Sequence, residues 1–352
     1  MINTPVSGLK PVNGSICYMK HLFGPVNSRR LGLSQGIDLL PPKTCNFNCI
    51  YCEINRAPQL SCERGEHVPT EVIIAEIDGL LENEERVRDL DFFTITASGE
   101  PTLHTGIGRI INHIKEKTDK PVAILTNGSQ LYLKEVREDL SRADIVIQSL
   151  DGARAGSFRK VNRPAKCSAD LEVIIEGISR FSHEFSGEVW LEILLVENMN
   201  DTPEDIAALK NAIEKIMPTR VQLNTVARPP YESFAKPLTR KRMEKVKEEI
   251  EKGYAGYVDI LSGSKEDEVA DKSRGSSSSS EKISIGHAED EIIEMVLRRP
   301  CTAAEIAGTL NLEAEHVLEI LVDMEGRGDL IAKIHGDKMY FRTSKGQTTR
   351  NE

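Results

Sequence analysis

Short apolar runs alternate with stretches of helical period along the first three quarters of the chain. Strand-like runs, rich in β-branched residues, fall at 34–40, 91–97, 121–126, 144–150, 187–196 and 219–226. Runs of this kind suit parallel strands covered on both faces. Helical periodicity lies near 70–85, 105–118, 130–142, 168–182, 203–216 and 238–252, with Thr70, Thr202 and Thr239 where N-caps belong. Six β-then-α repeats predict an α/β fold with a parallel sheet and right-handed crossovers. The count is short of a closed eight-stranded barrel and fits a partial, six-unit (βα)6 barrel. The one long structureless connection, Pro41 to Pro69, leaves the C-terminal end of the first of these strands. Connections of that length are usually functional, and barrel chemistry sits at that end.

The pattern breaks at 263–283, where a run of five serines and scattered charges carries almost nothing apolar. That is the composition of a flexible tether. It divides the chain into a barrel unit, 1–262, and a small unit, 284–345, with 346–352 as a tail. The small unit predicts helices at 288–298, at 303–309 behind Thr302, and at 313–325, then strands at 329–334 and 338–343 joined by the turn His335-Gly336-Asp337. Three helices and a hairpin predict a winged helix-turn-helix.

Charge and cysteine usage narrow the chemistry. The net charge of −10 over 352 residues argues against a protein that coats nucleic acid. No apolar stretch is long enough to span a bilayer, and Met1 to Lys20 lacks a basic flank followed by an apolar run. No membrane association is expected, and the expected compartment is the cytoplasm. Seven cysteines (Cys17, Cys45, Cys49, Cys52, Cys62, Cys167 and Cys301) are an odd count, a poor disulfide framework, and three of them fall within eight residues.

Those three form Cys45-Asn-Phe-Asn-Cys49-Ile-Tyr-Cys52, a C-x3-C-x2-C motif inside the long connection. Thiolate softness selects zinc or an iron–sulfur cluster. Zinc normally takes a fourth protein ligand, and none stands at ligand spacing nearby. Three thiolates can hold three irons of a [4Fe–4S] cluster and leave the fourth open. With Tyr51 just before the last cysteine, the motif resembles the signature of the radical S-adenosylmethionine superfamily. The resemblance implies that the open iron chelates S-adenosylmethionine. One electron then cleaves the sulfonium, giving methionine and a 5′-deoxyadenosyl radical that abstracts hydrogen from a substrate. It further implies that the aromatic at Tyr51 contacts the adenine and that a reductant such as ferredoxin or flavodoxin supplies the electron.

Further residues match strand by strand. Ser98-Gly99-Glu100-Pro101 after the second predicted strand is similar to the superfamily's Gly-Gly-Glu-Pro turn, which binds the cofactor's amino group; Ser98 departs from the more frequent glycine. Thr126-Asn127-Gly128 and Ser149-Leu150-Asp151-Gly152 end the next two strands and resemble positions beside the cofactor and its ribose. Either alone would be an ordinary turn; together they imply one site. Asn224, in the sixth strand with Gln222 on the same face, is a further candidate contact. Phe23-Gly-Pro-Val-Asn-Ser-Arg-Arg-Leu-Gly32, with the segment Gly36 to Cys45, resembles a branch near the wyosine-tRNA synthases.

Other readings stay two-sided. Trp190, Glu192 and Leu194 share one strand face, which either lines a binding interior or faces outward. Arg228 suits a substrate anion or a surface ion pair, whereas Arg29 and Arg30 suit a substrate anion or a solvated surface. Cys17 and Cys62 are open to an auxiliary cluster or an acceptor thiol, whereas Cys167 and Cys301 read as structural. His104 reads as a surface residue at a helix start. The third helix of the small unit carries Glu313, Glu315, Glu319, Asp323 and Glu325 and no lysine or arginine, and 284–352 has 13 acidic and 8 basic residues. A protein- or substrate-docking role is therefore expected there, not DNA. The substrate stays open among a tRNA base, a peptide and a small metabolite. The competing class, a transcription regulator sensing iron–sulfur status, needs a basic reading helix.

Overall fold

The computed structural model describes residues 21–28, 30–41, 44–54, 60–96, 98–261 and 285–344. The first unit holds one sheet in the order β1 (Leu22–Ser28), β2 (Gly32–Asp38), β3 (Phe92–Thr96), β4 (Val122–Thr126), β5 (Ile145–Ser149), β6 (Glu188–Leu195), β7 (Arg220–Thr225) and β8 (Tyr257–Ile260). Spatial order follows chain order. β1 pairs antiparallel with β2, and every later pair is parallel. The six expected strands are β2 to β7. β1 was hidden by Gly24 and Pro25, which sit in a register shift between Phe23 and Val26; a proline is tolerated on an edge strand at such an irregularity. β8 has four residues, too few for periodicity to reveal.

Helices α1 (Thr70–Leu81), α2 (Glu84–Asp89), α3 (Ile107–Lys117), α4 (Lys134–Leu140), α5 (Ala155–Val161), α6 (Leu171–Glu184), α7 (Pro203–Ile216) and α8 (Arg240–Glu251) cover the outer face. Thr202 and Thr239 accept from the backbone N–H three residues on, as N-caps do. Thr70 does not: it is already helical behind Pro69, and its hydroxyl donates to Glu66. Alternate strand residues such as Ile95, Ile124, Leu191 and Leu223 form the main core with helix residues such as Ile77, Ile110, Ile178 and Ile213.

The opposite set of strand residues faces inward. Ala123, Ile145, Ile147 and Trp190 make a separate cluster around Leu31 from the β1–β2 turn. One turn at the sheet's edge thus touches β4, β5 and β6, so the sheet curls around a concave interior with its N-terminal end plugged. The C-terminal strand ends form the open mouth.

The second unit has helices Ile285–Arg298, Ala303–Leu310 and Ala314–Gly326, then a hairpin of β9 (Leu330–His335) and β10 (Lys338–Thr343). Its core of Ile292, Val296, Ile306, Leu321 and Phe341 is separate from the first. Thr302 and Glu305 form a reciprocal capping box. His335 pairs with Lys338, so the hairpin turn is Gly336 and Asp337, one residue tighter than expected, with Gly336 at φ +61°. The expected tether and tail lie outside the described residues. Among the described residues no helix is long and apolar enough to cross a membrane.

Candidate active site

The cysteine segment hangs from both walls of the mouth. On one side Thr44 bridges in parallel fashion to Gly99, and Glu100 N–H donates to the Thr44 carbonyl at 3.0 Å. A Cβ at Gly99 would stand 1.8 Å from that oxygen, so only glycine allows the approach. On the other side Asn48 and Ile50 donate to the carbonyls of Asn162 and Val161, and Ala165 N–H donates to Asn46 O at 2.8 Å. Phe47 packs edge-on against Phe158 of α5, with ring centres 5.5 Å apart.

This hanging brings three half-buried free thiols to the strand ends. Phe47 N–H donates to Cys45 Sγ at 3.4 Å, and Asn162 Nδ2 to Cys49 Sγ at 3.5 Å. Burial, with repulsion from each other and from nearby carboxylates, pushes Cys45 up to about 12 and Cys49 well above the usual thiol range. Burial and the Glu53 carboxylate bring Cys52 to about 11. Such thiols stay protonated near neutral pH until a metal displaces the protons.

The donor set fits a cluster better than zinc. The three free thiols stand close enough to repel one another's charges. A single zinc draws its sulfurs to about 2.3 Å from one centre, whereas an iron–sulfur cube spreads three thiolates over three corners. Among the described residues no fourth protein ligand stands with the three, and a cube held by three thiolates keeps one corner open.

The strand-end residues form interlocked polar pairs. Glu100 is 1 % exposed and accepts from Thr102 N–H at 3.1 Å, Thr102 Oγ1 at 2.5 Å, Thr126 Oγ1 at 2.6 Å and Asn127 N–H at 2.7 Å. Protein donors therefore occupy both oxygens of the carboxylate that sequence reasoning aimed at an ammonium group. Ser98 gives its N–H and hydroxyl to Asp38, at 3.0 and 2.6 Å, which explains serine in place of glycine. Asn127 Nδ2 donates to Asn46 Oδ1 at 2.8 Å and stands 4.0 Å from Cys45 Sγ. Asp151, 1 % exposed, accepts from Tyr51 OH at 2.5 Å, Asn162 Nδ2 at 2.6 Å and Leu194 N–H at 2.9 Å. Burial lifts its carboxyl to about 6 despite those donors.

Ser149 and Asn224 lie on the inner wall. Ser149 stands beside Glu192 in register, and Asn224 Nδ2 donates to Glu192 Oε1 at 2.8 Å. Trp190, Glu192 and Leu194 do line the interior, since Trp190 belongs to the inner cluster while Val189, Leu191 and Ile193 belong to the outer core.

Several expectations are corrected. His104 is fully buried, pairing with Val68 O and accepting from Gly106 N–H. Cys62 is no acceptor thiol: it forms a disulfide with Cys167, so the odd count hid one bridge. Arg228 holds a carboxylate of this chain, with Nη2 at 2.6 Å and Nη1 at 3.0 Å from Glu305, and Glu53 at 3.7 Å. Arg30 pairs with Glu192 at 2.5 Å. Cys17 and Arg29 lie outside the described residues. Sequence reasoning missed Asn46, Asn162 and Asn200, which carry much of the wiring. Asn200 donates to Asp151 O and Leu194 O and accepts from Val196 N–H. Asn46 alone had a signal, its place inside the cysteine motif.

The small unit is docked at this mouth. Arg228 also donates to Pro300 O, Tyr340 OH donates to Ala227 O at 3.2 Å, and His335 Nε2 lies 3.0 Å from Val226 O. On the far edge Arg298 lies 3.9 Å from Asp38 and over the Phe23 ring.

Residues 39–210 match the Radical SAM superfamily. The chain thus carries a Radical SAM domain, of a superfamily whose enzymes work with a [4Fe–4S] cluster and S-adenosylmethionine. It belongs to the UPF0026 family. It is 36 % identical over 306 residues to a UPF0026 protein of Helicobacter pylori, covering 86 % of this chain and 92 % of that one. A UPF0026 protein of Methanocaldococcus jannaschii is 30 % identical over 322 residues, covering 91 % and 94 %. A Brachyspira hyodysenteriae relative named GTPase Obg is 36 % identical over 315 residues, or 90 % of this chain, and the chain spans 44 % of that protein's length. Among solved structures, anSMEcpe with bound AdoMet aligns with TM-score 0.47 at 16 % identity, covering 63 % of this chain and 62 % of that one.

Proposed function

We propose that the chain cleaves S-adenosylmethionine reductively and passes the resulting radical to a substrate held in the barrel. When bound, the cluster supplies an electron and an open iron, and the cofactor supplies a sulfonium that yields methionine and a hydrogen-abstracting 5′-deoxyadenosyl radical. Cys45, Cys49 and Cys52 would hold three irons. The observation that carries this reading is the convergence of three free thiols from one loop on the C-terminal ends of β3 to β5.

The roles of the neighbouring residues follow from their contacts. Glu100 ties the turn after β3 to the start of the turn after β4, which shapes the backbone of Ser98 and Gly99 into the wall facing an amino group. Tyr51 and Asp151 brace the loop against the end of β5, with the tyrosine ring available to an adenine. Ser149 and Asn224 present polar groups toward a ribose. The electron would come from a ferredoxin or flavodoxin.

The substrate class is open among a tRNA base, a peptide and a small metabolite. The second unit, read as a winged helix-turn-helix, is proposed to dock substrate or a protein. Its third helix exposes Leu318 and Val322 among Glu315, Glu319 and Asp323. That surface would repel phosphate, which speaks against reading DNA. The test is anaerobic reconstitution, reduction and product analysis. Methionine with 5′-deoxyadenosine supports the proposal, and zinc without sulfide in the loaded protein refutes it.

A further inference from the structure

Below the strand-end network the interior holds a second set of polar side chains, of which Gln222 lacks a partner among the described residues. Glu192 lies two residues before Leu194, whose N–H reaches Asp151, so its side chain stands about 6–7 Å deeper along the strand. Arg30 enters from the plugged end and meets it at 2.5 Å. Asn224 holds its other oxygen, and Gln222 is its partner in register on β7. Gln222 is 1 % exposed, and both its amide atoms lack a partner among the described residues. Trp190 forms the floor, with Arg220 against its ring at 4.4 Å.

A structural purpose accounts poorly for this arrangement. An inward charge pair gains little over apolar packing. A buried carboxamide with neither donor nor acceptor met costs free energy outright, and such orphans in native proteins call for an explanation. Arg30 spends only part of its five-donor fork on Glu192. The interior therefore offers spare cationic donors, a carboxylate and a free amide on one level, just beneath the proposed cofactor site.

We infer that Arg30, Glu192 and Gln222 form a subsite for the dipolar head of an α-amino acid. The inference rests on the radical reading above and names its substrate class. A plain anion would face Glu192 and a plain cation would face Arg30; a ligand carrying both charges satisfies both. Its carboxylate takes the Arg30 fork and its ammonium takes Glu192, so the protein's own ion pair is exchanged for two with the ligand. Gln222 then finds a partner in the ligand's polar atoms. The same dipole occurs on the methionyl end of S-adenosylmethionine, and competition separates the two sources.

The test is calorimetry with the common L-α-amino acids on the full chain, with and without reconstituted cluster and saturating S-adenosylmethionine. At least one is expected to bind in both states and in the cofactor's presence, and its N-acetyl and methyl-ester forms to bind at least about tenfold more weakly. Arg30→Met and Glu192→Gln should each weaken binding by a similar factor. Should either variant fold poorly, Gln222→Leu keeps the ion pair and should still cost about tenfold. No binding by any amino acid overturns the inference, as does displacement by S-adenosylmethionine, which would give the pocket to the cofactor. Binding is read without turnover, so this outcome is independent of whether the reduced protein cleaves S-adenosylmethionine.

Discussion

Tyr51 donates its hydroxyl to the Asp151 carboxylate at 2.5 Å, joining two residues 100 positions apart. The contact fastens the cysteine loop to the end of β5. Asn162 completes the arrangement, donating one amide to both Asp151 and Cys49. Loop position and strand-end chemistry are therefore one mechanical unit.

Tyr51→Phe removes one donor from a buried carboxylate and should cost about 1–3 kcal/mol. Thermal unfolding of the metal-free protein measures that loss. If the hydroxyl matters only for stability, cluster content should recover at low temperature.

Asp151 sets a pH dependence with a defined sign. Burial raises its folded value from 3.8 to about 6, so the folded state binds the proton more tightly than the unfolded chain. Its contribution to stability is fully present below about pH 4 and is lost as pH rises through 6. Melting temperatures of metal-free wild type and Asp151→Asn should show that component in the wild type and not in the variant.

Glu100 behaves as a fastener. Glu100→Ala leaves two hydroxyls and two backbone N–H groups without their acceptor and should lower stability by several kcal/mol, about 3–5. A variant that unfolds like wild type while binding S-adenosylmethionine weakly would show instead that the carboxylate serves the cofactor directly.

The two units have separate cores but share the pair Arg228 and Glu305. Arg228→Met should cost about 3 kcal/mol and speed proteolytic cleavage between the units. A chain ending at residue 261 should keep the cluster and slow, substrate-free cofactor cleavage, because every proposed site residue precedes that point. Loss of both on truncation would mean the second unit completes the site.

The parallel sheet and the cysteine loop were legible because their signals are local. β-branched runs mark β2 to β7, and the three cysteines stand within eight residues. The edges were not: β1 reads as a loop through Gly24 and Pro25, and four-residue β8 carries too little pattern. Pairings set by tertiary approach were equally silent. Cys62 meets Cys167 across 105 residues, Arg228 meets Glu305 across 77, and nothing near His104 announces that Val68 O buries it. Glu100 was found by its motif, but the four donors that fasten it were silent, since a motif names a residue and not its neighbours.

Cysteine substitution separates cluster from accident. Cys45→Ala, Cys49→Ala and Cys52→Ala should each abolish the broad visible absorbance of the reconstituted protein, while Cys301→Ala, in the other core, should leave it. A triple variant with a full complement of iron and sulfide would remove the assignment.

The most direct measurement is product analysis of the reduced, cluster-loaded protein incubated anaerobically with S-adenosylmethionine. The expected products are 5′-deoxyadenosine and methionine in equal amounts, formed slowly without substrate and lost in the cysteine variants. Methylthioadenosine as the main product, or no cleavage by protein that holds its full cluster, would contradict the proposed function.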